Sequence, residues 1–133
     1  ELEQELSHRI TLVPALSLVS VVSEVKRVGK GEGIGNDLTE RLLRDSNIAI
    51  VPIGYWHGIP RAASSKGHAH IGVHQARIIG RVSMDMVMLD VTDVPCRIGS
   101  LVRFAPVDLA HATDTSPYEV VTRINPLIHK EVI

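Results

Sequence analysis

The sequence predicts a mainly β domain, a barrel or a sandwich, and three observations carry that reading. Short apolar stretches of strand length recur along the chain. Gly and Pro punctuate them at close intervals. Helical periodicity is confined to brief segments. The 133 residues suit a single domain. Hydrophobic residues make up 44% and aromatics only 3%, so the core must be built from Val, Ile and Leu.

The elements follow in order. Residues 1–9 (ELEQELSHR) are charged and helix-compatible, and read as a linker or the end of an upstream helix. The domain proper is expected over residues 10–133. Between Ile10 and Val28 the chain turns β-branched; Val19, Val21 and Val25 are assigned to one face and Ser20, Glu24 and Lys26 to the other. Pro14 delays the regular strand. Gly29, Gly31, Gly33 and Gly35 form an alternating glycine run that matches neither G-x-G-x-x-G nor a P-loop, so a turn or bulge is expected. Residues 37–46 suit a short helical or irregular connection. Ile48–Ile53 is a continuous apolar strand, followed by a glycine-bounded loop from Gly54 to Arg61. Residues 68–71 and 75–79 suit a hairpin around Gly72. Residues 81–91 alternate, with Val82, Met84, Met86 and Met88 on one face as core filling. Residues 100–104 and 118–124 supply further strand signals, and Val107–Ala112 a helical turn or two.

Composition also excludes function classes. The formal net charge of −1 argues against a dedicated nucleic-acid binder and gives no polybasic membrane arm. No apolar run reaches the ~18 residues of a membrane helix. One cysteine, Cys96, rules out an intramolecular disulfide framework and a CxxC zinc site. No secretory leader is recognisable, so a cytoplasmic location is expected. The chain opens on Glu1 rather than Met, which suggests a portion of something longer.

Candidate chemistry is sparse. Tyr55, at a strand-to-loop junction between Gly54 and Gly58, places a phenol where it could exchange a proton; packing against Trp56 is the plain alternative. His68 and His70 lie on one strand face, about 7 Å apart by strand rise. With His74 they could ligate a metal, but the spacing fixes no third ligand and surface histidines are the simpler reading. No metal is expected. His57, His111 and Cys96 have no assignable partner.

Three segments in order resemble a known family. They are Val51-Pro52-Ile53-Gly54-Tyr55 with Gly58 and Pro60-Arg61, then Gly80-Arg81-Val82-Ser83-Met84-Asp85, then Tyr118-Glu119-Val120. Together with Ser65-Lys66-Gly67, Leu89-Asp90-Val91-Thr92-Asp93-Val94-Pro95 and Arg123-Ile124-Asn125-Pro126, they resemble the C-terminal β domain of alanine racemase, from about Leu16 to the C-terminus. The resemblance implies an antiparallel β-barrel with short helical connections. It also implies a pyridoxal 5'-phosphate enzyme interconverting L- and D-alanine, which supplies D-alanine for peptidoglycan. The family carries its cofactor lysine on an N-terminal (β/α)8 barrel, which these residues do not include, and works as a homodimer whose active site takes a tyrosine from the partner subunit.

By resemblance Tyr55 matches the catalytic tyrosine, and Met84 a residue whose backbone lies near the substrate carboxylate. Arg81 matches a residue lining the substrate entry, and Tyr118 a tyrosine contacting the cofactor phosphate. None of Lys26, Lys30, Lys66 and Lys130 lies in a recognisable cofactor-lysine motif, so the isolated chain is expected to be inactive. Departures from the family pattern are Trp56-His57 in place of Ala-Asp, Asn36-Asp37 in place of Tyr-Gly, Arg77 where Pro is frequent, and a short segment between Val102 and Tyr118. Trp56 and His57 support the alternative of a non-catalytic assembly module that keeps the fold.

Overall fold

A computed structural model of the chain describes residues 13–35 and 37–133. The helix or linker reading of residues 1–9 lies outside them. The described residues form nine strands: β1 Leu18–Val21, β2 Glu24–Val28, β3 Gly33–Ile34, β4 Glu40–Arg41, β5 Ser46–Val51, β6 His68–Ile71, β7 His74–Ile79, β8 Val87–Asp90 and β9 Leu101–Phe104. A 3₁₀ turn at Arg61–Ala63 precedes β6, and two helices, α1 Pro106–Ala112 and α2 Pro117–Thr122, follow β9. No helix among the described residues is long and apolar enough to cross a membrane.

Seven strands form one sheet in the order β1-β9-β6-β7-β8-β5-β2, antiparallel throughout. Its two edge strands are consecutive in the chain, separated only by Val22 and Ser23. The sheet therefore curls until both edges meet in one bent segment. Val22 donates to Ser100 O at 2.9 Å and Ser23 to Ile50 O at 2.9 Å, so the bend bonds to both sides. The bend continues the β1–β9 and β2–β5 pairings, so the chain itself joins the two ends of the sheet.

The interior is aliphatic, as the composition requires. Val22, Val51, Ile59, Ile78, Val82, Val87, Leu89, Val102 and Phe104 are fully buried in one cluster. Leu109, Ala110 and Val120 of the two helices join it. α1 starts on Pro106 at its first position, where a missing N–H is harmless. α2 starts on Pro117, with Ser116 Oγ accepting from Glu119 N at 3.2 Å. Asp108 of α1 reaches His70 Nε2 of β6 at 2.7 Å, tying the helical pair to the sheet.

A second, smaller cluster explains the continuous apolar run of β5. Ala49 and Val51 face the interior, while Ile48 faces outward. The β3–β4 hairpin covers that outer side, packing Ile34 and Leu42 on Ile48 and Ile79, with Val28 and Met88 at its margin. Burying each such side chain contributes about 1.5–3 kcal/mol relative to exposure. Glu40 fastens the hairpin: its carboxylate accepts from Arg77 Nη2 at 2.6 Å and from Gly80 N at 2.7 Å. Burial opposes the charge on Glu40, but the Arg77, Gly80 and Ser65 hydrogen bonds and the Arg77 charge outweigh it and hold its carboxyl below the usual range.

Three expectations are corrected, and one is settled between its alternatives. In β1 the buried residue is Leu18, and Val19 and Val21 are exposed; Val22 at the bend is the next buried residue. Residues 118–124 form α2 and its exit rather than a strand, because the Ser116 cap and Pro117 outweigh the β-branched Val120-Val121-Thr122. Residues 37–46 take the irregular of the two forms expected, with the short strand β4 inside it. Regular pairing after Gly80 begins only at Val87, so Met84 and Met86 are exposed rather than core filling, and Met88 borders the outer cluster.

Candidate functional site

The site is built where the chain leaves β5. After Val51 the chain runs through Ile53 and Gly54 into a tight turn over Tyr55–Gly58. The turn is closed from within: Gly54 O accepts from His57 N at 3.0 Å and from Ile59 N at 3.2 Å, and Tyr55 O accepts from Gly58 N at 3.2 Å. It is clamped from one side by the bend before β8, where Tyr55 N donates to Ser83 O at 3.0 Å and Trp56 N to Met84 O at 2.9 Å. On another side, Asn125 N donates to His57 O at 3.2 Å and Asn125 Nδ2 to Trp56 O at 3.1 Å.

Two glycines make this clamping possible. A Cβ on Gly54 would stand 2.2 Å from Ser83 O and 2.5 Å from Met84 O, so only glycine lets the two backbones approach. Gly58 sits at φ +122°, and a Cβ there would lie 2.8 Å from Ile124 Cα.

The structure places the four predicted site residues as follows. Tyr55 is 47% exposed, with its backbone fixed and no hydrogen-bond partner on its hydroxyl among the described residues. Met84 is joined to the same turn through its carbonyl, while its side chain is 53% exposed. Arg81 starts the same bend and pairs with Asp37 of the β3–β4 hairpin at 3.1 Å. Tyr118 is 80% exposed near the start of α2. The exit of that helix, through Ile124 and Asn125, packs on and bonds to the Tyr55 turn. The fold thus bonds the Tyr55 turn to the Ser83–Met84 backbone, with Arg81 two residues earlier in the same segment, and links it through Asn125 to the exit of α2, the helix that carries Tyr118.

His57, Ser83 and Asn125 are the supporting residues that sequence reasoning missed. His57 Nδ1 accepts the Gly54 N–H at 3.0 Å, and its ring meets Trp56 edge-on with centroids 5.0 Å apart. The Trp56-His57 departure is therefore accommodated inside the turn. Of the histidines weighed as metal ligands, His70 is engaged with Asp108. Among the described residues no group of three or more His, Cys, Asp or Glu is placed to hold a metal. Burial raises the Cys96 thiol above its ordinary range, against a hydrogen bond with Ser100.

A protein-family model for "Alanine racemase, C-terminal domain" matches residues 15–132. The chain belongs to this family. Among its relatives, the alanine racemase of Halothermothrix orenii is 34% identical over 138 aligned residues, which cover 96% of this chain and 36% of that protein. The biosynthetic alanine racemase of Pseudomonas aeruginosa superposes with a TM-score of 0.81 at 30% identity, over 86% of this chain and 34% of that one. The alanine racemase of Bartonella henselae, solved with covalently bound pyridoxal phosphate, superposes with a TM-score of 0.76 at 27% identity, over 80% and 32%. The chain thus spans about a third of the length of these racemases.

Proposed function

We propose that this domain supplies one of the two proton-transferring groups of an alanine racemase, with Tyr55 as that group. The observation that carries the reading is the contrast within one residue. The Tyr55 backbone is held by the Ser83–Met84 bend, while its phenol is exposed and uncommitted among the described residues. Racemisation needs the α-proton removed on one face and returned on the other. A group fixed in space on one face meets that need without moving the substrate.

Pyridoxal phosphate, when bound, supplies the electron sink for the α-carbanion. The donor set here fits one margin of such a group. The exposed Tyr118 hydroxyl is a donor suited to phosphate oxygens, and Tyr55 would face the substrate. None of the four lysines belongs to the Tyr55–Gly58 turn or to the Ser83–Met84 bend that holds it. We assign the anchoring lysine to an N-terminal barrel domain of the longer protein, and the working unit to a homodimer in which Tyr55 enters the partner's site. On this reading Arg81 lines the substrate entry, the Met84 backbone lies near the substrate carboxylate, and the isolated chain is inactive. D-Alanine for peptidoglycan would be the product used in the cytoplasm.

The test is racemisation by the full-length protein carrying Tyr55→Phe. The variant is expected to lose activity by about a hundredfold or more, the scale of a missing general base. Full activity in both directions would reject the role given to Tyr55 and favour the assembly-module alternative.

A further inference from the structure

The Gly54 N–H is the last backbone donor before the proposed base, and it has no backbone acceptor among the described residues. It is part-buried and bonded instead to the His57 ring at 3.0 Å. A donor left unpaired in such a place would carry its desolvation cost. The carbonyl of the same residue accepts from His57 N and Ile59 N. His57 therefore holds Gly54 from both ends, once through its backbone and once through its side chain. The chain direction at Gly54 sets the direction in which Tyr55 leaves the turn.

We propose that His57 is a positioning residue for Tyr55, acting through Nδ1 as the acceptor of the Gly54 N–H. This rests on the reading that Tyr55 is the proton-transferring group. Accepting at Nδ1 requires a lone pair there, so the neutral ring carries its proton on Nε2. The edge-on contact with Trp56 holds the ring in the plane that aims Nδ1 at Gly54. The acceptor, and not the ring as a filler of space, is the working part of the side chain.

Two variants of the full-length protein separate those roles. His57→Phe keeps a ring beside Trp56 but has no acceptor; His57→Asn keeps an acceptor oxygen but has no ring. Amide hydrogen exchange of the 53–58 segment is read alongside steady-state kinetics, with Tyr55→Phe as a parallel control. His57→Phe is expected to raise Gly54 exchange and to lower kcat on the order of tenfold to a hundredfold, with KM changed by no more than about twofold. His57→Asn is expected to retain both protection and most of kcat. Equal behaviour of the two variants, or unaltered exchange and kcat in His57→Phe, would overturn the proposal. An active Tyr55→Phe would instead reject the role of Tyr55, while the exchange data still report on the hydrogen bond. Should both His57 variants misfold, the imidazole ¹⁵N signals of the unaltered protein decide. An unprotonated, hydrogen-bonded Nδ1 supports the proposal, and a proton on Nδ1 contradicts it.

Discussion

The two tyrosines of this chain are held in opposite ways. Tyr55 projects from a turn bonded to two neighbouring segments, with glycines where the backbones nearly touch. Tyr118 projects from a six-residue helix, 80% exposed, with nothing beyond α2 itself to direct its side chain among the described residues. Positional accuracy around Tyr55 is paid for by this domain's own backbone. No hydrogen bond among the described residues orients the Tyr118 hydroxyl. A group that must meet a carbon on one face needs the first arrangement; a group that supplements a phosphate cradle tolerates the second.

The largest expected effect comes from Gly54→Ala. Its methyl would stand 2.2 Å from Ser83 O, so the turn and the bend must part. Activity should fall at least as far as in Tyr55→Phe, with a loss of about 1–3 kcal/mol of stability on denaturant titration. Tyr55→Phe comes next, and its signature is the reverse: a loss of about a hundredfold in kcat with stability changed by less than about 0.5 kcal/mol. A Gly54→Ala protein as active as the parent would break the contrast between a clamped and an unclamped tyrosine.

Tyr118→Phe should be milder. Removing one hydrogen bond to a charged oxygen costs about 1.5–3 kcal/mol, so pyridoxal phosphate should bind roughly tenfold to a hundredfold more weakly at little cost to folding. Equilibrium dialysis of the full-length protein measures this. A large kcat loss with unchanged cofactor affinity would mean that Tyr118 works as Tyr55 does.

The smallest effect is expected at Glu40, which touches neither tyrosine but fastens the hairpin that holds Asp37 against Arg81. Glu40→Gln should cost about 1–2 kcal/mol. Its pH dependence has a definite sign. The folded-state carboxyl is held below its ordinary value, so its contribution is present above the ordinary carboxylate range and is lost as pH falls through the lowered value. The stability difference between parent and Glu40→Gln, measured by denaturant titration at a series of pH values, should therefore shrink as pH falls below the ordinary carboxylate range.

Much of the fold was legible because several strands carry their own evidence. Residues 48–51 of β5 are a continuous apolar run, and β6–β7 form a hairpin around Gly72, whose φ is +60°. The helix α2 carries two competing signals: Ser116 and Glu119 stand three apart, the spacing of a capping box, and outweigh the β-branched residues that follow. The faces of β1 were inverted because the pattern there is apolar on both sides; only the bend at Val22, a tertiary feature, decides which side is buried. The glycine-bounded turn that exposes Tyr55 was legible from Gly54 and Gly58, while the role proposed for Tyr55 comes by resemblance. The His57–Gly54 bond was not legible, since a histidine next to an aromatic residue announces no acceptor role until the turn is closed.

The most direct test of Tyr55 as a one-face proton carrier is solvent exchange of the substrate α-proton. The full-length Tyr55→Phe protein, loaded with pyridoxal phosphate, is incubated in D2O separately with L- and D-alanine, and α-deuterium incorporation is followed by NMR. If Tyr55 serves one face, one enantiomer still exchanges, the other exchanges far more slowly, and racemisation is lost. Equal exchange of both enantiomers with racemisation intact would contradict the role assigned to Tyr55.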